Sequence, residues 1–164
     1  MLDVHVFVVT VDDDQTYDTQ TRSISNKRGR LFRKFFQSRG ISCVRVGPEH
    51  ACSCMVASMF EFQQDAEVMP ILAARSLKDA GNGAEGALLD FLQSLPDKSV
   101  VIAQAQFLNC LRCDCFPPDQ VRSRSLYQIS LRAGEIHDIV ELDMSKIIPS
   151  EVAEEAGEAP VRHN

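Results

Sequence analysis

Residues 2–11, LDVHVFVVTV, form an almost unbroken β-branched, aromatic and aliphatic run that stops at Asp12, Asp13 and Asp14. Branched and aromatic side chains favour extended backbone, whereas aspartate is depleted in strands and at home in turns. The run therefore reads as a buried strand, and a chain with such a strand must build a sheet and cover it. At 164 residues there is enough chain for one domain with a sizeable core and too little for a second full one. With 45% hydrophobic and 24% charged residues, folding needs no disulfide or metal.

The remaining elements follow from periodicity and punctuation. Residues 15–26 are polar and aperiodic and read as a surface loop. Residues 27–38 place Leu31, Phe32, Phe35 and Phe36 at helical spacing among basic residues, with Gly40 where a C-terminal cap belongs. Ile41–Val46 and Ala51–Phe62 read as two strands of a hairpin, the second carrying Cys52, Cys54, Val56, Phe60 and Phe62 on one face. Residues 65–80 suit a helix with Pro70 in its first turn, and residues 84–94 a second one, closed by Leu95-Pro96-Asp97. Ser99–Phe107 reads as a mid-sheet strand, residues 110–124 as a loop, and Ser125–Leu131 with Glu135–Leu142 as a hairpin about Ala133-Gly134. The sum is an α+β fold: a mixed sheet, or sheets, built largely of hairpins, with about three helices packed outside. Residues 1–148 form the single domain, and residues 149–164 an acidic, flexible tail.

Six cysteines fall in clusters: Cys43, then Cys52 and Cys54, then Cys110, Cys113 and Cys115. Three states are open to them. A zinc ion takes four soft ligands, and Cys110 with Cys113 has a chelating C-x-x-C spacing that Cys52 and Cys54 could complete. Disulfides between the clusters would require an oxidising compartment. Free cysteines would serve as small buried hydrophobes. No local signature ties His5, His50 or His137 to a nucleophile, so no catalytic residue is assigned. Asp12-Asp13-Asp14 can be a cation site or, more simply, a solvated turn, and Gly81-Asn82-Gly83 lacks the text of a phosphate loop.

The net charge of −6 excludes a general nucleic-acid coat. Against that background Arg22, Lys27, Arg28, Arg30, Arg33, Lys34 and Arg39 gather seven of the 17 basic residues in a segment without an acid. Residues 22–39 are thus the expected contact for an anionic surface, a phosphate or an acidic protein partner, with Arg28, Arg30, Arg33 and Lys34 as partner-binding residues. No apolar run is long enough for a transmembrane segment, and no signal-peptide pattern opens the chain.

Arg39-Gly40-Ile41-Ser42-Cys43-Val44, a hairpin closing on Phe60, Leu89 to Asp97 leading into Val100-Val101-Ile102-Ala103, and Ile136 to Leu142 together resemble the interleukin-like EMT inducer (PANDER-like) domain. The chain departs from that pattern at Gln106 and Phe107, at Phe60-Glu61-Phe62, and in having no tryptophan. The resemblance implies a two-sheet globule, a non-enzymatic module, a secreted or lumenal setting and disulfides rather than zinc. The function expected is a non-catalytic interaction or structural subunit, the alternative a cysteine-based zinc or redox protein, and a third reading an enzyme with an unrecognised α/β site. Without the resemblance and its disulfides, an intracellular location is expected.

Overall fold

The opening run becomes β1 (Val4–Val11) of a computed structural model that describes residues 3–60, 66–79, 85–111 and 121–144. On one side β1 pairs in parallel with β4 (Ser99–Gln104), Val6 opposite Ser99 and Val9 opposite Ile102. On the other it pairs antiparallel with β5 (Leu126–Arg132), Val8 opposite Tyr127. β2 (Val44–Val46) lies parallel beyond β4, and β3 (Ala66–Val68) parallel beyond β2. β6 (Glu135–Glu141) closes the other edge as the hairpin partner of β5. The order is β3-β2-β4-β1-β5-β6 in one mixed sheet, so the α+β class stands while the two-sheet arrangement does not.

Strand alternation divides the apolar residues between two cores. Phe7, Val9, Val100 and Ile102 face α1 (Thr19–Gln37) and α2 (His50–Met59), which contribute Phe32, Phe35, Phe36, Met55 and Met59. Val6, Val8, Val101 and Tyr127 face the opposite layer, where α3 (Ala74–Asp79), α4 (Glu85–Gln93) and α5 (Gln106–Asn109) contribute Leu77, Leu88, Leu92, Phe107 and Leu108. Parallel strands need long crossovers, and helices laid on both faces supply them.

Several local expectations change. Residues 19–26 are helical: Asp18 caps α1 by accepting the Thr21 amide at 2.8 Å. The buried positions of that first half are Ser25 and Gly29, small residues that leave no apolar stripe in the sequence. Residues 50–59 are α2 rather than a strand, burying Ala51, Cys52, Met55, Val56 and Met59 at helical spacing, so the expected hairpin of residues 41–62 does not form. Residues 66–79 hold β3, a tight turn at Pro70–Leu72 and the short α3 in place of one helix. The expected tail, residues 149–164, lies outside the described residues.

β1 to β4 run the same way, so their carboxyl ends share one pole of the sheet, where α1 and α2 begin. The two helices descend from it side by side, in closest approach at Gly29, where an added Cβ would sit 2.4 Å from Ser58 Cβ.

Gly29→Ala should therefore destabilise despite the better helix propensity of alanine, by about 1–3 kcal/mol, because backbone must shift to admit the methyl. Gly40→Ala, with nothing within 4 Å, is the neutral control in the same denaturation series. Phe91, packed edge-on against Phe107 at 6.4 Å, should cost about 3–5 kcal/mol on truncation to alanine. A loss below about 1 kcal/mol would contradict its burial.

Candidate functional site

Crevices at the carboxyl ends of parallel strands are where open α/β sheets place their ligands, and at this pole the loops after β1 and β2 carry acids, Asp12 to Asp14 and Glu49. The three aspartates after β1 do separate jobs. Asp12, nearly buried, is held by Arg124 Nη1 at 3.1 and 3.4 Å. Asp13 caps the turn that follows by accepting the Gln15 amide at 3.0 Å. Asp14 reaches across to α2 and accepts the amides of His50 and Ala51, each at 2.9 Å. The first turn of α2, a natural seat for an anion, is thus filled by a carboxylate of the chain itself. Glu49 does the same for α3, accepting the Ala74 amide at 2.7 Å. These contacts explain why the aspartate run is no cation site: its oxygens are spent on N–H groups.

Beside this acidic half stands a cluster built from both helices. Arg22, in the first turns of α1, donates from Nη2 to His50 Nε2 at 2.7 Å. His50 opens α2, and one turn on Cys54 Sγ lies 3.6 Å from the same nitrogen. Because arginine can only donate, Nε2 is the acceptor here and the imidazole proton sits on Nδ1. Tyr17 lies edge-on to the His50 ring at 5.8 Å, with the Arg22 guanidinium 5.8 Å from its own ring centre. Burial pushes the Tyr17 phenol up to about 12, the neighbouring Cys54 adding to the effect. Its Oη and the hydroxyl of fully buried Ser25 find no hydrogen-bond partner among the described residues.

None of these residues was singled out for this role by the sequence. Reading residues 19–26 as helix would have set Arg22, Asn26, Arg30 and Arg33 on one stripe; Asp18 and Thr21, at cap spacing, are the signal. Of the expected partner-binding residues, Arg30 and Arg33 lie on that stripe, facing α2 across a groove. Arg28 instead rests on the ring of Phe32 one turn on, 5.5 Å from its centre, and Lys34 is exposed. The other histidines are elsewhere: His5 meets Asp97 at the opposite pole, and His137 is exposed on β6.

The expected link of Cys52 with Cys110 requires correction. Cys52 is buried on the α1–α2 face of the sheet and Cys110 on the other, donating to the Leu77 carbonyl at 3.1 Å. A sheet stands between them, so neither a disulfide nor a shared zinc can join Cys52 and Cys110. Cys43, Cys52, Cys54 and Cys110 are free thiols. Among the described residues no three His, Cys, Asp or Glu side chains gather as a metal site; Cys113 and Cys115 lie outside them. Burial, with Glu49 and Asp14 nearby, pushes the Cys52 thiol up, which suits packing rather than redox chemistry. Among the described residues no helix is long and apolar enough to cross a membrane.

Solved structures share this architecture. The protein histidine phosphatase SixA, complexed with tungstate, superposes with a TM-score of 0.64 at 17% identity, covering 88% of this chain and 99% of its own. A putative alpha-ribazole-5'-P phosphatase from Escherichia coli gives 0.60 at 9% identity, covering 86% and 98%. Phosphoserine phosphatase from Entamoeba histolytica, in complex with 3-phosphoglyceric acid, gives 0.58 at 7% identity, covering 88% and 99%. No family model and no curated protein sequence matches the chain. At these identities the likeness establishes the fold, that of histidine phosphatases and phosphoglycerate mutases. It overturns the resemblance to the interleukin-like EMT inducer domain, whose hairpin closing on Phe60 is here a strand followed by α2. The expectations drawn with it, a non-catalytic interaction or structural subunit and a zinc or redox protein, are corrected too, since these neighbours are phosphatases.

Burial also raises the Asp12 carboxyl above its ordinary value of 3.8, with Arg124 pulling the other way. A raised acid binds its proton more tightly folded than unfolded, so its cost is absent below 3.8 and reaches its full size above the folded value. Asp12→Asn should therefore gain on the wild type as pH rises through that window and hold a constant difference above it. Parallel Tm measurements check this, and a difference that never varies with pH would refute it.

Proposed function

We propose that this chain acts on a phosphate ester at the carboxyl pole, gripping the phosphate between Arg22 and His50. The observation that carries the reading is the 2.7 Å contact between Arg22 Nη2 and His50 Nε2, which puts a guanidinium and an imidazole lone pair at one exposed spot where α1 and α2 begin. Guanidinium presents paired donors that match phosphate oxygens, and a neutral imidazole nitrogen is a competent nucleophile toward phosphorus. The fold supports the reading, since its solved neighbours hold tungstate or 3-phosphoglyceric acid.

The arrangement limits how such a ligand can sit. Asp14 already holds the two leading amides of α2, so a phosphate is kept off the helix terminus and onto the side chains. Arg22 then exchanges Nε2 for phosphate oxygens, which frees the His50 lone pair to face phosphorus. In the reaction the phosphorus–oxygen bond of the ester breaks as the nitrogen–phosphorus bond forms, the leaving oxygen taking a proton from water. A second water then attacks phosphorus: its oxygen–phosphorus bond forms as the nitrogen–phosphorus bond breaks, its proton neutralises the hydroxide left by the first water, and inorganic phosphate departs with His50 restored. The Tyr17 phenol beside the ring, pushed up by burial, adds no negative charge to repel the ligand.

Tungstate binding followed by calorimetry, together with hydrolysis of phosphoserine and of an aryl phosphate, tests the proposal. Arg22→Ala should weaken tungstate binding about tenfold or more, the scale of a lost charge-assisted hydrogen bond. His50→Ala should abolish hydrolysis while Tm stays within a few degrees. Tungstate binding without hydrolysis would remove the nucleophile assignment; neither binding nor hydrolysis would overturn the proposal as a whole.

A further inference from the structure

Arg22, Asn26, Arg30 and Arg33 follow one another along α1 at spacings of four, four and three residues, and so line one side of a groove. Cys54, Ala57 and Ser58 of α2 form the other side, enclosing ≈ 390 Å³. Among the described residues three guanidiniums line this groove and no acidic side chain does. Its floor is polar: Ser58 Oγ donates to Asn26 Oδ1 at 2.9 Å, which leaves the Asn26 NH2 as a donor. Arg33 is poorly satisfied where it lies. Its Nε is buried without an acceptor among the described residues, and its Nη2 reaches only the Ala57 carbonyl at 3.5 Å. An anionic oxygen would therefore displace little.

Past Arg33 the lining changes character. Phe36, Gln37, Met59 and Phe60 enclose a second hollow of ≈ 270 Å³ that shares Arg33 with the first. The track thus reads, from the pole downward, Arg22, Arg30, Arg33 and then an apolar seat. Arg22 to Arg33 spans about 16 Å at the helical rise, the length of about five residues of extended chain.

We propose that the α1–α2 groove docks an extended acidic polypeptide segment, its phosphorylated residue at Arg22 and His50, its carboxylates at Arg30 and Arg33, and a large apolar side chain in the hollow that Phe36, Met59 and Phe60 line. A polypeptide fits better than an inorganic polyphosphate or a nucleic acid strand because charge and apolar seat occur on one track, and an acidic peptide carries both. The phosphate position rests on the function proposed above; the groove from Arg30 to Phe60 does not.

The test uses a synthetic peptide of about ten residues: phosphoserine, then glutamates, then phenylalanine. Binding is followed by fluorescence anisotropy, alongside hydrolysis of free phosphoserine. Arg30→Glu, and separately Arg30→Glu with Arg33→Gln, should weaken peptide binding at least about tenfold and flatten its salt dependence, with free phosphoserine hydrolysis unchanged. Arg30 is exposed, so the single variant keeps its Tm and answers any concern over Arg33. Replacing the peptide phenylalanine with glycine should weaken binding to the wild type. Peptide affinity indifferent to both variants overturns the groove, even if phosphoserine is hydrolysed. Loss of phosphoserine hydrolysis in the wild type, with peptide binding still dependent on Arg30, overturns the pole assignment and leaves the groove. A polyphosphate that binds as tightly as the peptide, with no effect of the phenylalanine, overturns the polypeptide assignment.

Discussion

β1 is hydrogen-bonded on both edges and covered on both faces, and the other elements take their places from that constraint. Val6, Val8, Phe7 and Val9 are nearly or fully buried, the first two in one core and the last two in the other. A strand so enclosed cannot slip by one residue without exchanging the contents of both cores, which pins its register against β4 and β5. The parallel pairing to β4 then requires crossovers, and α1 and α2 on one face with α3 to α5 on the other supply the covers that the strand demands. The chain leaves this central strand at the carboxyl pole, so the first loop, three aspartates and the start of α1 are delivered there.

The pole is divided between two kinds of charge. Carboxylates of Asp14 and Glu49 are consumed at the starts of α2 and α3, where they satisfy amides that would otherwise seek water or an anion. Arg22 and His50, in contrast, meet each other in the open. A helix terminus without its internal carboxylate would be the obvious phosphate seat; here the internal anion moves the available positive charge outward, onto side chains. The same choice explains the overall charge: an acidic protein can still present a basic track, because many of its acids at this pole are bound to backbone or to arginine.

The close approach of α1 and α2 links that pole to the groove below it. Gly29 and Ser58 let the helices touch, and to either side of the contact the longer side chains of Arg22, Arg30 and Arg33 wall the space that remains. Small residues at the crossing and long basic ones around it give a groove with a charged flank and an apolar end. Packing, capping and the candidate binding surface are in this way consequences of one helix pair.

The sequence by itself determined the strands that declare themselves by composition or by a tight turn. β1, β4 and the hairpin of β5 with β6 carry enough β-branched residues, and Ala133-Gly134 enough turn propensity, to be legible without partners; so were α4 and the second half of α1, with their apolar stripes. The first half of α1 was not legible because it buries Ser25 and Gly29 rather than large apolar groups, and small residues at a helix crossing look like a polar loop. α2 misled because Cys52, Cys54 and Val56 satisfy a strand period while Ala51, Cys52, Met55 and Met59 satisfy a helical one; only the sheet already present decides between them. Tertiary structure alone set Cys52 and Cys110 on opposite sides of that sheet, and it alone brought Arg22 to His50. Those two are 28 residues apart and belong to different helices. Their meeting depends on a crossover passing over β4, and local sequence carries no record of where a crossover lands.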